Sequence, residues 1–240
     1  MTPSPEEQAP WTFEDLGLFL GAIVPCYLLG ALLLYAGKKL APVAFGSEAV
    51  QTLVFQCSIY ALMLGTLYAL ANVRHDQPLW RSLGWTLAFR GAWWCLAAAP
   101  LLAFGVSALA ALLRAPAIPT PVENLISGRL SLMIVGFFAT VLGPFFEELL
   151  FRGFLFGLIR RVLGAWPAIL LAAVPFALLH GPQYQWSWKH LVSLFLAGAV
   201  FGFARYKTGS TAGSALLHAG YNMTFFVGYV TQQYLIHGTA

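Results

Sequence analysis

Long runs of apolar residues, separated by short polar stretches, are the feature that most restricts how this chain can fold. The first run, from Leu16 to Gly37, contains no charged residue and ends immediately before Lys38 and Lys39. A run of about 20 such residues suits a helix that crosses a bilayer. Six further runs follow at Leu53–Ala71, Gly91–Leu113, Leu130–Phe146, Val162–Leu179, Leu191–Ala204 and Ala212–Ile236. The pattern predicts an all-α protein, a polytopic transmembrane bundle of seven to eight helices.

The number of spans depends on the segment from Glu147 to Leu163. This segment is amphipathic, with three arginines among Phe and Leu residues. It either continues the fourth helix or turns along the membrane interface, and an eighth span results only if it crosses the bilayer separately. In the sixth run, Gly198 and Gly202 form a face of small residues spaced by four, which predicts close packing against another helix.

The composition is that of an integral membrane protein. Only 9% of the residues are charged, whereas soluble domains average about 25%. The net charge of +4 is small and its basic residues are scattered through the loops, so we expect no nucleic-acid partner. Cys26, Cys57 and Cys95 lie in three different apolar runs without a CxxC spacing, so we expect neither a disulfide framework nor a cysteine zinc site.

The first 15 residues read as an acidic tail. They include Glu6, Glu7, Glu14 and Asp15 but no basic residue, whereas a signal peptide begins with a positively charged region. We therefore expect the first apolar run to be retained as a span. The composition as a whole predicts a multi-pass integral membrane protein, which we expect in the plasma (inner) membrane of a bacterium.

Two adjacent carboxylates and a guanidinium stand at the end of the fourth apolar run. An ionisable residue at membrane depth marks a candidate functional site. Glu148 and Arg152 are spaced i, i+4, so they face each other on a helix and can form an ion pair. Glu147 lies about 100° further round the helix and has no evident structural partner, which leaves it available as a base.

Two histidines and an asparagine lie in later apolar runs. His180 follows Phe176 by four residues and His218 precedes Asn222 by four, so each pair shares a helix face. Amide hydrolysis requires a base to activate water, a proton carrier and donors for the developing oxyanion. Each group also has a structural interpretation: the charged string as an interfacial cluster, and each histidine as a hydrogen bond between helices. Their joint occurrence in so apolar a chain favours a catalytic site.

Taken together, these residues resemble a known family. Glu147-Glu148-x-x-x-Arg152, then Phe176-x-x-x-His180, then His218-x-x-x-Asn222, in this order and in apolar settings, is similar to the motif set of the CPBP family. This family, also called Abi, comprises CAAX proteases and bacteriocin-processing enzymes and includes the Ras-converting CAAX prenyl endopeptidase. The resemblance covers roughly Leu130 to Val230.

The resemblance implies an intramembrane endopeptidase and a role for each motif residue. Glu147 and His180 would activate a water molecule, and His218 with Asn222 would stabilise the oxyanion. Glu148 and Arg152 would form a structural ion pair, with Phe176 in a supporting position. By the same resemblance, residues 129–240 would be the catalytic transmembrane core. Residues 16–128 would be N-terminal transmembrane helices without motifs.

Metal dependence is a separate question. A zinc protease usually offers three protein ligands and one open position, and Glu147, His180 and His218 could supply such a set. The sequence has no HExxH motif, and Asn222 beside His218 suits oxyanion donation better than metal ligation. We therefore expect no cofactor and a glutamate-activated water, with zinc-dependent hydrolysis as the alternative.

The expected function is cleavage of a peptide bond in a membrane-associated substrate, either prenylated (CAAX-type) or bacteriocin-like. The expected partners are therefore the lipid bilayer and a peptide or lipidated protein. A non-catalytic membrane immunity or scaffold protein is an alternative, as is a transporter with a proton relay. Paired broken helices in an internal repeat, typical of many transporters, are not evident in the sequence.

Overall fold

The computed structural model describes residues 9–88, 91–118 and 124–237, and these form eight helices without a strand. Seven of the helices are long, and the short α3 spans Leu79–Ser82. The long helices are α1 Phe13–Leu40, α2 Glu48–Arg74, α4 Ala92–Leu112, α5 Arg129–Leu163, α6 Ala165–Leu179, α7 Trp188–Thr208 and α8 Thr211–His237. The predicted all-α class is confirmed.

Five helices of the described chain are long and apolar enough to cross a membrane, namely α1, α2, α4, α5 and α7. The helix α6 is also apolar but has only 15 residues. The helix α8 carries His218 and Asn222 among its apolar residues. Several long apolar helices in one chain make this a multi-pass integral membrane protein.

The amphipathic segment from Glu147 to Leu163 continues the fourth helix and makes no separate crossing. Helix α5 runs unbroken through 35 residues, a length of about 50 Å. It includes two π-helical stretches, Phe138–Leu142 and Leu149–Leu155, on either side of the two glutamates. The helix ends at Gly164, whose φ of 87° lies in the left-handed region that glycine adopts without strain. This turn sends α6 back along α5.

Helix α5 lies at the centre of the bundle and contacts α2, α6, α7 and α8. The helices α6 and α7 pack closely, as the glycine pattern of α7 predicts. A Cβ atom on Gly198 would lie 2.9 Å from a ring carbon of Phe176, and one on Gly202 would lie 3.2 Å from the Cα of Ile169. Helix α4 packs on α8 and α7, and α1 pairs with α2.

The residues just before α1 pack against the bundle. Residues 1–8 of the predicted acidic tail lie outside the described residues, but Trp11 is fully buried and its indole nitrogen donates to the carbonyl oxygen of Ser82. Asp15, also buried, caps α1 together with Thr12 and binds Arg74 and His75 at the end of α2. These contacts fasten the start of α1 to the end of α2.

Candidate active site

The central helix α5 presents its two glutamates to different neighbours. They lie in the short α-helical stretch Gly143–Glu148, between the two π-helical stretches. A π-helical turn shifts side chains relative to a regular helix and is common at functional sites. Glu147 points toward α2, α6 and α8, while Glu148 points toward α8. The two adjacent carboxylates therefore have different neighbours, and His218 lies beside both.

Glu148 is the centre of a fully buried network. Arg152 Nη1 donates to Glu148 Oε1 at 2.9 Å, and both side chains have no exposed surface. Ser214 donates its hydroxyl to Glu148 Oε2 at 2.5 Å, and His218 Nδ1 lies 2.9 Å from Glu148 Oε1. The ion pair expected from the i, i+4 spacing is thus present, and the same carboxylate also holds a histidine of α8.

The guanidinium of Arg152 joins α5 to α7 within an aromatic enclosure. Its Nη2 donates to the carbonyl oxygen of Gly198 at 2.7 Å. The guanidinium carbon lies 4.6 Å from the ring centre of Phe176 and 5.4 Å from that of Phe201, which is within the range of a cation–π interaction. This explains why Arg152 is tolerated inside an apolar bundle.

His180 ends α6 with one ring nitrogen fixed. Its Nδ1 lies 2.7 Å from the carbonyl oxygen of Phe176, and because a carbonyl oxygen only accepts, this nitrogen carries a hydrogen. The free Nε2 lies 3.9 Å from Glu147 Oε2. The ring of Phe176 packs at 4.8 Å from that of His180, so Phe176 supports the imidazole through both its backbone and its ring.

His218 approaches the same oxygen of Glu147 from α8. Its Nε2 lies 4.0 Å from Glu147 Oε2, and its Nδ1–H is held by Glu148. The ring of Phe201 stacks on the imidazole with 4.3 Å between centres and 20° between planes. Two imidazole nitrogens from distant parts of the chain therefore converge on one carboxylate oxygen.

Exposure differs across this cluster. The side chains of Glu147 and His180 are 21% and 23% exposed, whereas that of His218 is 4% exposed. Glu147 and His180 are therefore partly exposed, whereas His218, about 4 Å from the same carboxylate oxygen, is buried. The neighbouring ion pair of Glu148 and Arg152 is fully buried.

Asn222 lies one turn beyond His218 on α8. Its Nδ2 donates to the carbonyl oxygen of Ala139 at 2.8 Å, and Ala139 belongs to the first π-helical stretch of α5. One of the two amide hydrogens is thus used to hold α8 against α5. The other remains for a further acceptor, because a carboxamide nitrogen carries two hydrogens.

Three residues of the site were missed in the sequence. Ser214 precedes His218 by four residues, and this i, i+4 spacing was a usable signal. Tyr60 on α2 donates its hydroxyl to Glu147 Oε1 at 3.4 Å, and one of two phenols in a largely apolar span was only a weak signal. The stacking of Phe201 on His218 left no signal in the sequence, since it depends on how α7 and α8 pack.

The spacing of the three candidate zinc ligands can be compared with that of a zinc site. Among the described residues, no group of three His, Cys, Asp or Glu side chains is arranged to hold a metal ion. Glu147 Oε2 stands about 4 Å from each of the two Nε2 atoms, a wider spacing than ligands about 2 Å from a tetrahedral zinc would have. Metal dependence stays a prediction, and the proposed steps involve only side chains and water.

The fold and the site define a polytopic helical membrane protein that encloses a cluster of carboxylates and imidazoles among its helices. Residues 129–224 match the family model of the Rce1-like type II CAAX prenyl endopeptidases. The match confirms the predicted resemblance to the CAAX protease family for this segment, which includes every motif residue from Glu147 to Asn222. It supports a membrane protease with a peptide or protein substrate. No curated protein and no solved structure matches the chain significantly.

Proposed function

We propose that this protein is an intramembrane endopeptidase that hydrolyses a peptide bond near the membrane face, with a prenylated CAAX-type peptide as substrate. The observation that carries the proposal is the approach of His180 Nε2 and His218 Nε2 to the same oxygen of Glu147, at 3.9 and 4.0 Å. A water molecule beside this oxygen would contact a base and both imidazoles at once. The substrate class rests on the family match of residues 129–224.

Glu147 and His180 are the groups that activate the water. The Nδ1–H of His180 is used by the Phe176 carbonyl, so its neutral form offers a lone pair at Nε2. Glu147 takes a proton from the water as the water oxygen bonds to the carbonyl carbon of the substrate. The carbon–nitrogen bond then breaks, and Glu147 passes the proton to the leaving amine. One water is consumed, and a new carboxylate and a new amine are released.

His218 and Asn222 stabilise the oxyanion in this scheme. The Nδ1–H of His218 is used by Glu148, so His218 can donate from Nε2 only as the imidazolium. The second amide hydrogen of Asn222 supplies another donor. Preorganised donors of this kind act most strongly where water is excluded.

The test uses purified protein in lipid nanodiscs and a peptide that ends in a prenylated cysteine and three further residues. Mass spectrometry measures release of the three-residue fragment, with an unprenylated peptide and a transmembrane-anchored peptide as further substrates. We expect cleavage of the prenylated peptide and a loss of about 10²-fold or more in the His180→Gln variant. The matched His190→Gln variant changes a histidine that stacks on Tyr184 and should keep activity.

Two results would contradict the proposal. Equal turnover in the His180→Gln and His190→Gln variants would remove His180 from the chemistry. Cleavage of the unprenylated peptide as fast as the prenylated one would refute the substrate class while leaving the hydrolysis in place.

A further inference from the structure

The side of Glu147 that faces away from the histidines is occupied by Tyr60. This tyrosine belongs to α2, outside the segment that matches the family model. Its hydroxyl donates to Glu147 Oε1 at 3.4 Å, while Oε2 of the same carboxylate faces the two imidazoles. The two oxygens of Glu147 therefore have different neighbours.

A carboxylate in this position needs such a partner for two reasons. Rotation about the last side-chain bond of glutamate is broad and has little intrinsic preference. Without a fixed donor, the Glu147 carboxylate could rotate so that neither oxygen faces the imidazoles. A carboxylate oxygen that faces apolar side chains without a hydrogen bond is also unfavourable. The phenol of Tyr60 limits the rotation of the carboxylate and supplies the hydrogen bond.

The ring of Tyr60 is itself held by α5. It packs against Phe146 with 4.9 Å between ring centres, and it lies nearly parallel to Phe138 at 6.2 Å. Aromatic pairs at these separations attract each other in offset and tilted arrangements. The hydroxyl is therefore directed at Glu147 by packing that does not depend on the hydrogen bond.

The position of α2 is fixed at its far end as well. Buried Asp15 of α1 binds Arg74 and His75 at the end of α2, at 3.0 and 2.8 Å. Together with the pairing of α1 and α2 along their length, these bonds set where Tyr60 meets α5. The N-terminal helices, which carry no motif, thus deliver a polar group to the candidate active site.

We infer that Tyr60 is a positioning residue of the active site, which orients the Glu147 carboxylate so that Oε2 faces the water and the two histidines. The inference rests on the proposed function, because it assigns Tyr60 a task in the same hydrolysis. It makes the placement of α2 against α5 a condition for full activity, since displacement of α2 removes the donor from Oε1.

The test compares Tyr60→Phe with Tyr68→Phe in nanodiscs. Tyr68 lies two turns later on α2 with more than half of its surface exposed, so the two variants lose the same hydroxyl from one helix. We expect Tyr60→Phe to lower kcat by about 10-fold, the lower end of the range for a hydrogen bond to a charged group, because the bond is long. KM should stay unchanged, since the ring remains in place, and the thermal midpoint should fall only slightly, because Glu147 is partly exposed. Tyr68→Phe should match the wild type.

The outcomes separate this inference from the proposed function. If Glu147→Gln is inactive but Tyr60→Phe turns over as fast as Tyr68→Phe, only the role of Tyr60 fails. If Glu147→Gln keeps full activity, the proposed function fails. A Tyr60→Phe variant with normal kcat and raised KM would overturn the positioning role in favour of substrate binding. A kcat loss with unchanged KM, absent from Tyr68→Phe, is the result that the inference predicts.

Discussion

Removal of the Glu148 carboxylate should destabilise the protein more than removal of any exposed carboxylate. In the Glu148→Ala variant, the guanidinium of Arg152 stays buried without its counterion and keeps only the bond to the Gly198 carbonyl. The hydroxyl of Ser214 loses one of its two acceptors, and His218 Nδ1 loses its partner. Several buried polar groups are therefore affected by one substitution.

The expected magnitude follows from the burial of the pair. Breaking a buried ion pair by removing one partner costs about 3–5 kcal/mol, which shifts the unfolding equilibrium by roughly 10²- to 4 × 10³-fold. The assay is reversible unfolding in mixed detergent micelles, followed by circular dichroism. The control is Glu14→Ala, which breaks an exposed ion pair with Arg74 and should leave the unfolding midpoint unchanged, because such pairs contribute little.

A double variant tests the electrostatic reasoning itself. Glu148→Leu combined with Arg152→Met removes both charges, so no buried charge is left uncompensated. We expect its loss of stability to be smaller than the sum of the two single variants. Equal midpoints for Glu148→Ala and Glu14→Ala would refute the assignment of the pair as a structural element, and so would strict additivity in the double variant.

Three further predictions concern packing, the oxyanion donors and metal. Gly198→Ala places a Cβ 2.9 Å from the Phe176 ring and should lower the thermal midpoint, whereas Gly105→Ala, with no neighbour within 4 Å, should leave it unchanged or raise it; equal shifts would contradict the close contact. Asn222→Ala should lower kcat by about 10²-fold or more through loss of an oxyanion donor, and a change in KM alone would contradict that role. Dialysis against a chelator should leave turnover intact, and stoichiometric zinc whose removal abolishes cleavage would overturn the metal-free mechanism.

The helices could be predicted because hydrophobic length is a local property of the sequence. Each apolar run became a helix near its expected bounds. The path of the segment after Glu147 could not be predicted, since an amphipathic pattern suits both an interfacial helix and a continued one. What decides it is tertiary: Arg152 is stabilised inside the bundle by Glu148, the Gly198 carbonyl and two aromatic rings.

The site could be predicted only in part, because contacts between helices depend on tertiary packing. The i, i+4 spacings anticipated which side chains share a helix face, and the structure brings Glu147, His180 and His218 together. The contact between Glu148 and His218 joins two helices 70 residues apart, so no spacing could reveal it. Tyr60 is more distant still, 87 residues from Glu147. Its role depends on how α2 is held against α5.

The most direct test of the account is the turnover of Glu147→Gln measured beside Glu48→Gln in the same nanodisc preparation. Glu48 is exposed at the start of α2. The two variants therefore carry the same substitution, one at the proposed catalytic residue and one at an exposed residue outside the site. We expect equal thermal midpoints, wild-type turnover for Glu48→Gln, and no measurable cleavage by Glu147→Gln. Cleavage by Glu147→Gln at the rate of Glu48→Gln would contradict the claim that this carboxylate activates the water.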